Sequence, residues 1–268
     1  MTTVAPQAFT VPRSDMRDPP AYRPNPSSLL SQVEVIDDPN LRPEINGAFP
    51  NICGACTTGE LLTDPCLGGP TKTPTTAPDY SQSHGILLRA FWACSPVGFV
   101  DQAEELARLC LERGESFGLE RALWDLVLNA GTPTPVAAAN SVAALGLAER
   151  HLAANGGGMG LIHMDRGSAT ALAPHLTRTL SGLETIASGT PVIVGDGYDV
   201  EQPPPATTLT VNVWATGAIR VIRGPILELG RQVDRSVNDM SAIVERVYDV
   251  AIACPDPVWY SSDVICGC

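Results

Sequence analysis

The apolar positions of this chain change period several times, and each change predicts an element. From Asp101 to Asn129, "DQAEELARLCLERGESFGLERALWDLVLN", residues Ala103, Leu106, Cys110, Phe117, Trp124 and Leu128 recur at helical spacing and predict one long amphipathic helix. Asp101 with Glu104 three residues on supplies a capping box, and Asn129 ahead of Gly131 supplies a stop. Unbroken, this helix is about 43 Å long. Gly114 and Gly118 weaken its middle by up to about 1 kcal/mol each and mark a bend or a close backbone contact. A second helix is predicted from Thr134-Pro135 through "VAAANSVAALGLAERHLAAN" to the glycines at 156–158. A third, short and capped, is predicted from Ser168 in "SATALAPHL".

Strand patterns fill most of the remainder. "HGILLRAFWACSPVGF", His84 to Phe99, "MGLIHM", Met159 to Met164, and "TPVIVGDGYD" with its Asp196-Gly197 turn are apolar runs of strand character. Around residue 210 the period becomes two, with Leu209, Val211, Val213 and Ala215 on one face and Thr208, Thr210, Asn212 and Trp214 on the other. A turn at Gly217 leads to "AIRVIRG", and "AIVERVYDVAIA", Ala242 to Ala253, predicts a last long strand. By contrast, residues 1–48 contain eight prolines and little periodicity, so they read as an extended arm in which only "SLLSQVEVI", Ser28 to Ile36, forms a short helix or strand. Phe49 to Pro78 is a second irregular stretch, and Pro203 to Pro205 mark an exposed loop. The fold class expected is α+β with a mixed sheet.

Composition narrows the function. The 268 residues suffice for a large core without disulfides. With 17 Lys+Arg against 29 Asp+Glu the net charge is −12, which argues against a phosphate-gripping surface. No secretory signal and no run of eighteen apolar residues is present, so a soluble product of a reducing cytoplasm is expected. Its eight cysteines then read as thiols or metal ligands rather than as a disulfide framework.

The chemistry-bearing candidates are few. "CGAC", Cys53 to Cys56, has redox spacing, but no helix follows to lower a thiol pKa. Cys53, Cys56 and Cys66, with Cys94, His84 or Cys266/Cys268 as a fourth ligand, form a candidate zinc or disulfide set, against which ordinary loop thiols are the favoured reading. His163, on one strand face with Asp165 and followed by Arg166, is a candidate base, with a hydrogen-bonded structural histidine the favoured alternative. "GGGMG", Gly156 to Gly160, precedes a strand rather than opening a helix, so it is not a phosphate loop. No nucleophile elbow or helical His/Glu metal pair is present, and no enzyme activity or cofactor is expected.

An arm, a long loop, a long helix and then an α+β region, in this order, resemble the major capsid proteins of tailed bacteriophages with the Hong Kong 97-like fold. "GLIHMDRGSATAL", "ASGTPVIVGDG" and above all "NDMSAIVERVYDVAIACPDPVW" are similar to that family's strand-to-helix, "PVV" and closing motifs, and "CSPVGF" and "ERALW" resemble its actinobacterial phage members. The resemblance implies an N-terminal arm at 1–48, an E-loop at 49–99 and a spine helix of the peripheral domain at 100–134. It further implies an axial domain at 135–217 and peripheral strands returning to the axial domain at 218–268. It implies a non-enzymatic shell subunit in the virion capsid, made in the host cytoplasm, that forms hexamers and pentamers and encloses DNA without sequence-specific binding or membrane contact. Scaffold, portal and decoration proteins are the implied partners.

Some members of that family cross-link a lysine to a neighbour's asparagine with a glutamate as base. Lys72, the single lysine, with Asn238 and Glu245 occupy matching regions, displaced by about two residues from the family spacing. The competing readings are an encapsulin-like nanocompartment shell, a zinc or thiol protein, and another virion component.

Overall fold

The computed structural model describes residues 25–41, 48–50, 80–82, 84–94, 100–125, 135–156, 160–198, 210–234, 239–253 and 258–263. In chain order these form α1 (Leu29–Gln32), β1 (Glu34–Asp37), β2 (Ala48–Pro50), β3 (Tyr80–Gln82), β4 (His84–Cys94) and α2 (Val100–Leu123). There follow β5 (Val136–Ala137), α3 (Ser141–Gly156), β6 (Leu161–Asp165), α4 (Arg166–Ala171), a 3-10 turn (Ala173–His175), β7 (Leu176–Arg178), β8 (Leu183–Thr185) and β9 (Pro191–Gly195). The last strands are β10 (Thr210–Thr216), β11 (Ile219–Asp234), β12 (Asp239–Ile252) and β13 (Val258–Asp263). Three sheets result, in the orders β1-β11-β12-β4, β5-β13-β10-β6-β9-β8-β7 and β2-β3.

The chain divides into two compact units, one containing Arg89–Arg113 and Leu227–Glu245, the other Asn25–Leu88, Gly114–Ile226 and Arg246–Cys268. The division falls within β4, α2, β11 and β12. In the second unit, α3 lays Ala144, Leu145, Ala148 and Leu152 against Val211, Val213 and Ala215 of β10. Asn140 caps α3 by accepting the Ala143 N–H at 2.8 Å. The other face of β10 is buried as well. Trp214 meets Trp124 edge-on at 4.5 Å and stacks with Trp259 at 5.8 Å, while Asn212 Oδ1 accepts the Trp259 indole N–H at 3.1 Å. The period-two pattern of this strand is therefore real, but its polar-reading face is an aromatic core and not a wet surface.

Several sequence expectations need correction. The second helix starts at Ser141, because Val136 and Ala137 are drawn into strand pairing with Tyr260 and Ser261 of β13. Helix α4 starts at Arg166 and is capped by Asp165, whose carboxylate accepts the Ser168 N–H at 2.9 Å; Ser168 is inside the helix. The long helix includes Val100 ahead of Asp101, and the expected stop at Asn129 lies outside the described residues.

Its buried stripe also differs from the expected one. Buried positions are Ala103, Ala107, Leu111, Glu115, Leu119 and Leu123, with Glu120 and Trp124 alongside, whereas Cys110 and Phe117 are exposed. A strict four-residue spacing advances about 40° per step, so the stripe winds roughly 200° around the axis between Ala103 and Leu123. The helix thus buries one face in its first half and another in its second. Gly118 is the close contact expected in its middle, since a Cβ there would come within 3.2 Å of the Leu88 side chain, while Gly114 faces open space.

Candidate functional site

Two carboxylates that α2 carries into the interior organise the second unit. Glu120 is 1% exposed and uses both oxygens. Its Oε1 accepts the Leu29 N–H at 2.9 Å and the Ser116 hydroxyl at 3.1 Å; its Oε2 accepts the N–H groups of Asp196 at 2.8 Å and Gly197 at 3.0 Å. Burial raises its pKa above the usual carboxylate value, against the lowering effect of these four donors. The turn reaches the helix because Gly197 has no side chain: a Cβ there would lie 2.3 Å from the Phe117 carbonyl oxygen. Glu120 therefore ties the segment entering α1 to the end of β9. A parallel tie forms near the end of β9, since Ser27 O accepts the Val194 N–H at 2.7 Å and Asn25 Nδ2 donates to Val194 O at 2.7 Å.

Glu115 gathers cations and a phenol. Its Oε1 accepts Arg246 Nη1 at 2.8 Å and the Tyr248 hydroxyl at 2.5 Å, with Arg223 Nη1 at 3.4 Å. Desolvation first, then the adjacent carboxylate, raises the Tyr248 pKa, so this phenol stays a donor. Arg223 also grips Asp37 with two parallel bonds, at 2.7 and 3.2 Å, and its guanidinium holds the Asp37 carboxyl below its ordinary pKa. Glu34 and Arg220 form a second ion pair at 2.6 Å. Both pairs follow from the parallel register of β1 on β11, which sets Glu34 opposite Arg220 and Asp37 opposite Arg223.

His163 is completely buried between two hydroxyl groups, with Nδ1 2.8 Å from Tyr198 Oη and Nε2 2.8 Å from Thr216 Oγ1. Thr216 gives its own proton to Gly217 O at 3.0 Å, so it accepts from Nε2–H and leaves Nδ1 to accept from Tyr198. Desolvation depresses the His163 pKa to about 3 and keeps the ring neutral. Asp165 is occupied in capping α4, and Arg166 bonds Asp196 at 2.7 Å. His163 is a satisfied structural histidine; no acid-base pair with Asp165 is assembled.

Of the cross-link candidates, Glu245 lies on β12 in an ion pair with Arg89 of β4, within the first unit, whereas Lys72 and Asn238 lie outside the described residues. Cys53, Cys56, Cys66, Cys254, Cys266 and Cys268 lie outside them as well, and Cys94 ends β4. Among the described residues Cys110 is an exposed free thiol, and no group of three or more His, Cys, Asp or Glu is placed to hold a metal. No described helix is long and apolar enough to cross a membrane. The buried Glu115 and Glu120 were missed in the sequence; the Gly195-Asp196-Gly197 turn was the one local signal of a close approach.

No model of a known protein family matches this chain, and no curated protein matches it. Solved structures do. A chain from the capsid of a native GTA particle is 13% identical at a TM-score of 0.52, the similarity covering 98% of this chain and 95% of that one. A chain from Mycobacterium phage Ogopogo is 14% identical at 0.49, covering 95% and 97%. A chain of the holo-SrpI encapsulin complex from Synechococcus elongatus PCC 7942 is 9% identical at 0.47, covering 94% and 92%. The likeness to the GTA capsid chain extends over nearly the full length of both molecules, and with it the α+β order of long helix, long strands and mixed sheets identifies the fold of this chain as the Hong Kong 97-like capsid fold.

Proposed function

We propose that this chain is the major capsid protein of a tailed bacteriophage, a structural subunit that assembles through hexamers and pentamers into an icosahedral shell around double-stranded DNA. The observation that carries this reading is the fold shared with a capsid chain over 98% of the sequence. Surface chemistry supports it. In the first unit Phe91 and Leu229 are 64% and 55% exposed, with Trp92 and Leu227 also open, and large apolar groups left outside in this number mark contact with other chains. The net charge of −12 suits a container that holds DNA without gripping it.

In this proposal residues 1–48 are the arm, 49–99 the E-loop, 100–134 the spine helix, 135–217 the axial domain and 218–268 the strands of the peripheral domain with their return. The role is structural and not catalytic, in the virion, after synthesis in the host cytoplasm; scaffold, portal and decoration proteins are its partners. Assembly supplies by mass action the stability that the arm and loop do not generate alone. Expression of the full-length chain followed by light scattering and negative-stain microscopy tests the reading. Closed shells, or rings and tubes of capsomers, are expected. A persistent compact monomer, with any scaffold supplied, would overturn it, and shells that load a protein cargo in place of DNA would move it to an encapsulin.

A further inference from the structure

We propose that Leu180, at the tip of the β7–β8 hairpin, inserts into an apolar groove beside the β8–β9 turn of a second copy of this chain, with Arg178 facing that copy's Glu149. The proposal rests on the shell reading above and adds to it a specific contact between subunits.

The hairpin tip is ordered from within. Arg178 pairs with Leu183 across the strands, and the Thr179 N–H donates to Gly182 O at 2.7 Å. The hydroxyls of Thr179 and Ser181 both donate to Glu184 Oε1, at 2.9 and 2.6 Å. Gly182 adopts φ +139° and packs so closely on α1 that a Cβ would come within 2.0 Å of the Gln32 amide. The tip's polar side chains are thus occupied, while Leu180 stands wholly in solvent at 110% relative exposure. A leucine on a loose loop exposes itself at little consequence. On an ordered tip it presents a fixed apolar knob, which is what a partner site requires. Arg178, two residues away, is exposed and has no carboxylate partner among the described residues.

The groove has the complementary character. It encloses about 260 Å³ between Val142 and Leu145 of α3, Pro174 of the 3-10 turn and Ile186 of the β8–β9 turn. Val142 and Ile186 are 47% and 60% exposed along it, enough to leave it open to a branched side chain. Glu149 also lines it. That carboxylate accepts the hydroxyls of Thr185, Ser188 and Thr190, at 2.6, 2.5 and 2.8 Å, but no cation among the described residues neutralises it. An apolar knob with an unpaired arginine therefore matches an apolar groove with an unneutralised carboxylate.

One chain does not satisfy itself. Strand β8, about 10 Å long at ~3.3 Å per residue, stands between the tip and the groove. The contact is heterologous, knob of one copy to groove of the next, and such a contact closes into a ring when its rotation permits. A ring of subunits is what an axial region of a shell needs.

The test uses the full-length chain under assembling conditions. Leu180→Cys and Ile186→Cys are made on separate chains, co-assembled and oxidised, and compared with each variant alone to account for the native cysteines. A reducible dimer specific to the mixture, and a ladder when one chain carries both substitutions, are expected. Particles that form normally but give no mixture-specific band overturn the contact and leave the shell reading intact; failure of the unsubstituted chain to assemble overturns both. In parallel, Leu180→Asp is expected to keep the fold and raise the concentration needed for assembly about ten- to a hundredfold, with Leu180→Met near the parent. Assembly of L180D at the parental concentration overturns the proposal.

Discussion

The two halves of α2 show two ways of finishing a protein surface. In the second half and at the residue just past its end, Leu119, Glu120, Leu123 and Trp124 are all buried, and every oxygen of Glu120 is used by groups of the same chain. In the first half the buried residues are Ala103, Ala107 and Leu111, and the unit that contains them leaves Phe91, Trp92, Leu227 and Leu229 in solvent. One region completes its own core with aromatic rings and satisfied carboxylates. The other, among the described residues, buries Ala103, Ala107 and Leu111 and keeps four large apolar groups outside. If copies of the chain cover the second kind of surface, as the proposed shell requires, substitutions in the two regions should fail in different assays.

The largest effect on folding is expected at Glu120. Glu120→Ala leaves three backbone N–H groups and the Ser116 hydroxyl without their acceptor in a dry site, a loss of about 3–5 kcal/mol in thermal or denaturant unfolding. Glu120→Gln keeps one acceptor oxygen but turns an NH2 group towards two donors, so a loss of about 2–4 kcal/mol is expected even though the charge is gone. A loss under about 1 kcal/mol for E120Q would show that the second acceptor oxygen is not needed there.

The helix itself was legible from its period, and its buried stripe was not. Glu115 and Glu120 carried no sequence signal of burial, because most of their donors come from distant segments; the Leu29 N–H that meets Glu120 is 91 residues away. Cys110 and Phe117 fall on the predicted apolar stripe, read as core or partner surface, and are exposed, since apolar character within a helix does not say that a neighbour in the same chain exists. Strand β10 shows the same limit: its alternation was visible, but burial of Asn212 and Thr216 depends on Trp259 and His163, which arrive from other strands. Val136 and Ala137 looked helical, and pairing with β13 overrode that local preference. Pattern revealed element type and order, and hence the fold class; long-range partners decided which polar groups went inside. The expected cysteine and lysine chemistry falls largely on residues outside the described ones.

His163 should sharpen the comparison by pH. Its folded pKa of about 3 lies below the unfolded value of 6.5, so the unfolded chain binds a proton that the folded chain refuses. Its contribution is present in full above pH 6.5 and is lost as pH falls towards 3, by about 2 kcal/mol between pH 7 and pH 5. Glu120 opposes this at lower pH: with its pKa raised above 4.5, the folded state gains relative stability as that group protonates. His163→Gln is expected to be less stable than the parent at pH 7, with the gap narrowing by about 2 kcal/mol at pH 5. A gap that does not change with pH would mean that the buried ring is not refusing a proton.

The smallest folding effect, and the sharpest separation of the two regions, is expected for Phe91→Ser and Leu229→Ser. Both side chains are more than half exposed, so the isolated subunit should change by no more than about 0.5 kcal/mol. If copies of the chain cover them in the assembled state, each substitution removes apolar burial at a contact that an assembled particle repeats many times. Sedimentation should then show subunits accumulating at the expense of particles while unfolding curves stay superimposed. Loss of folding stability in these variants would mean that the first unit completes its core with these residues, erasing the distinction drawn between the halves of α2. Unchanged folding with unchanged assembly would mean that their exposure has no role in association, leaving the Leu180 knob and the segments around it to account for subunit contact.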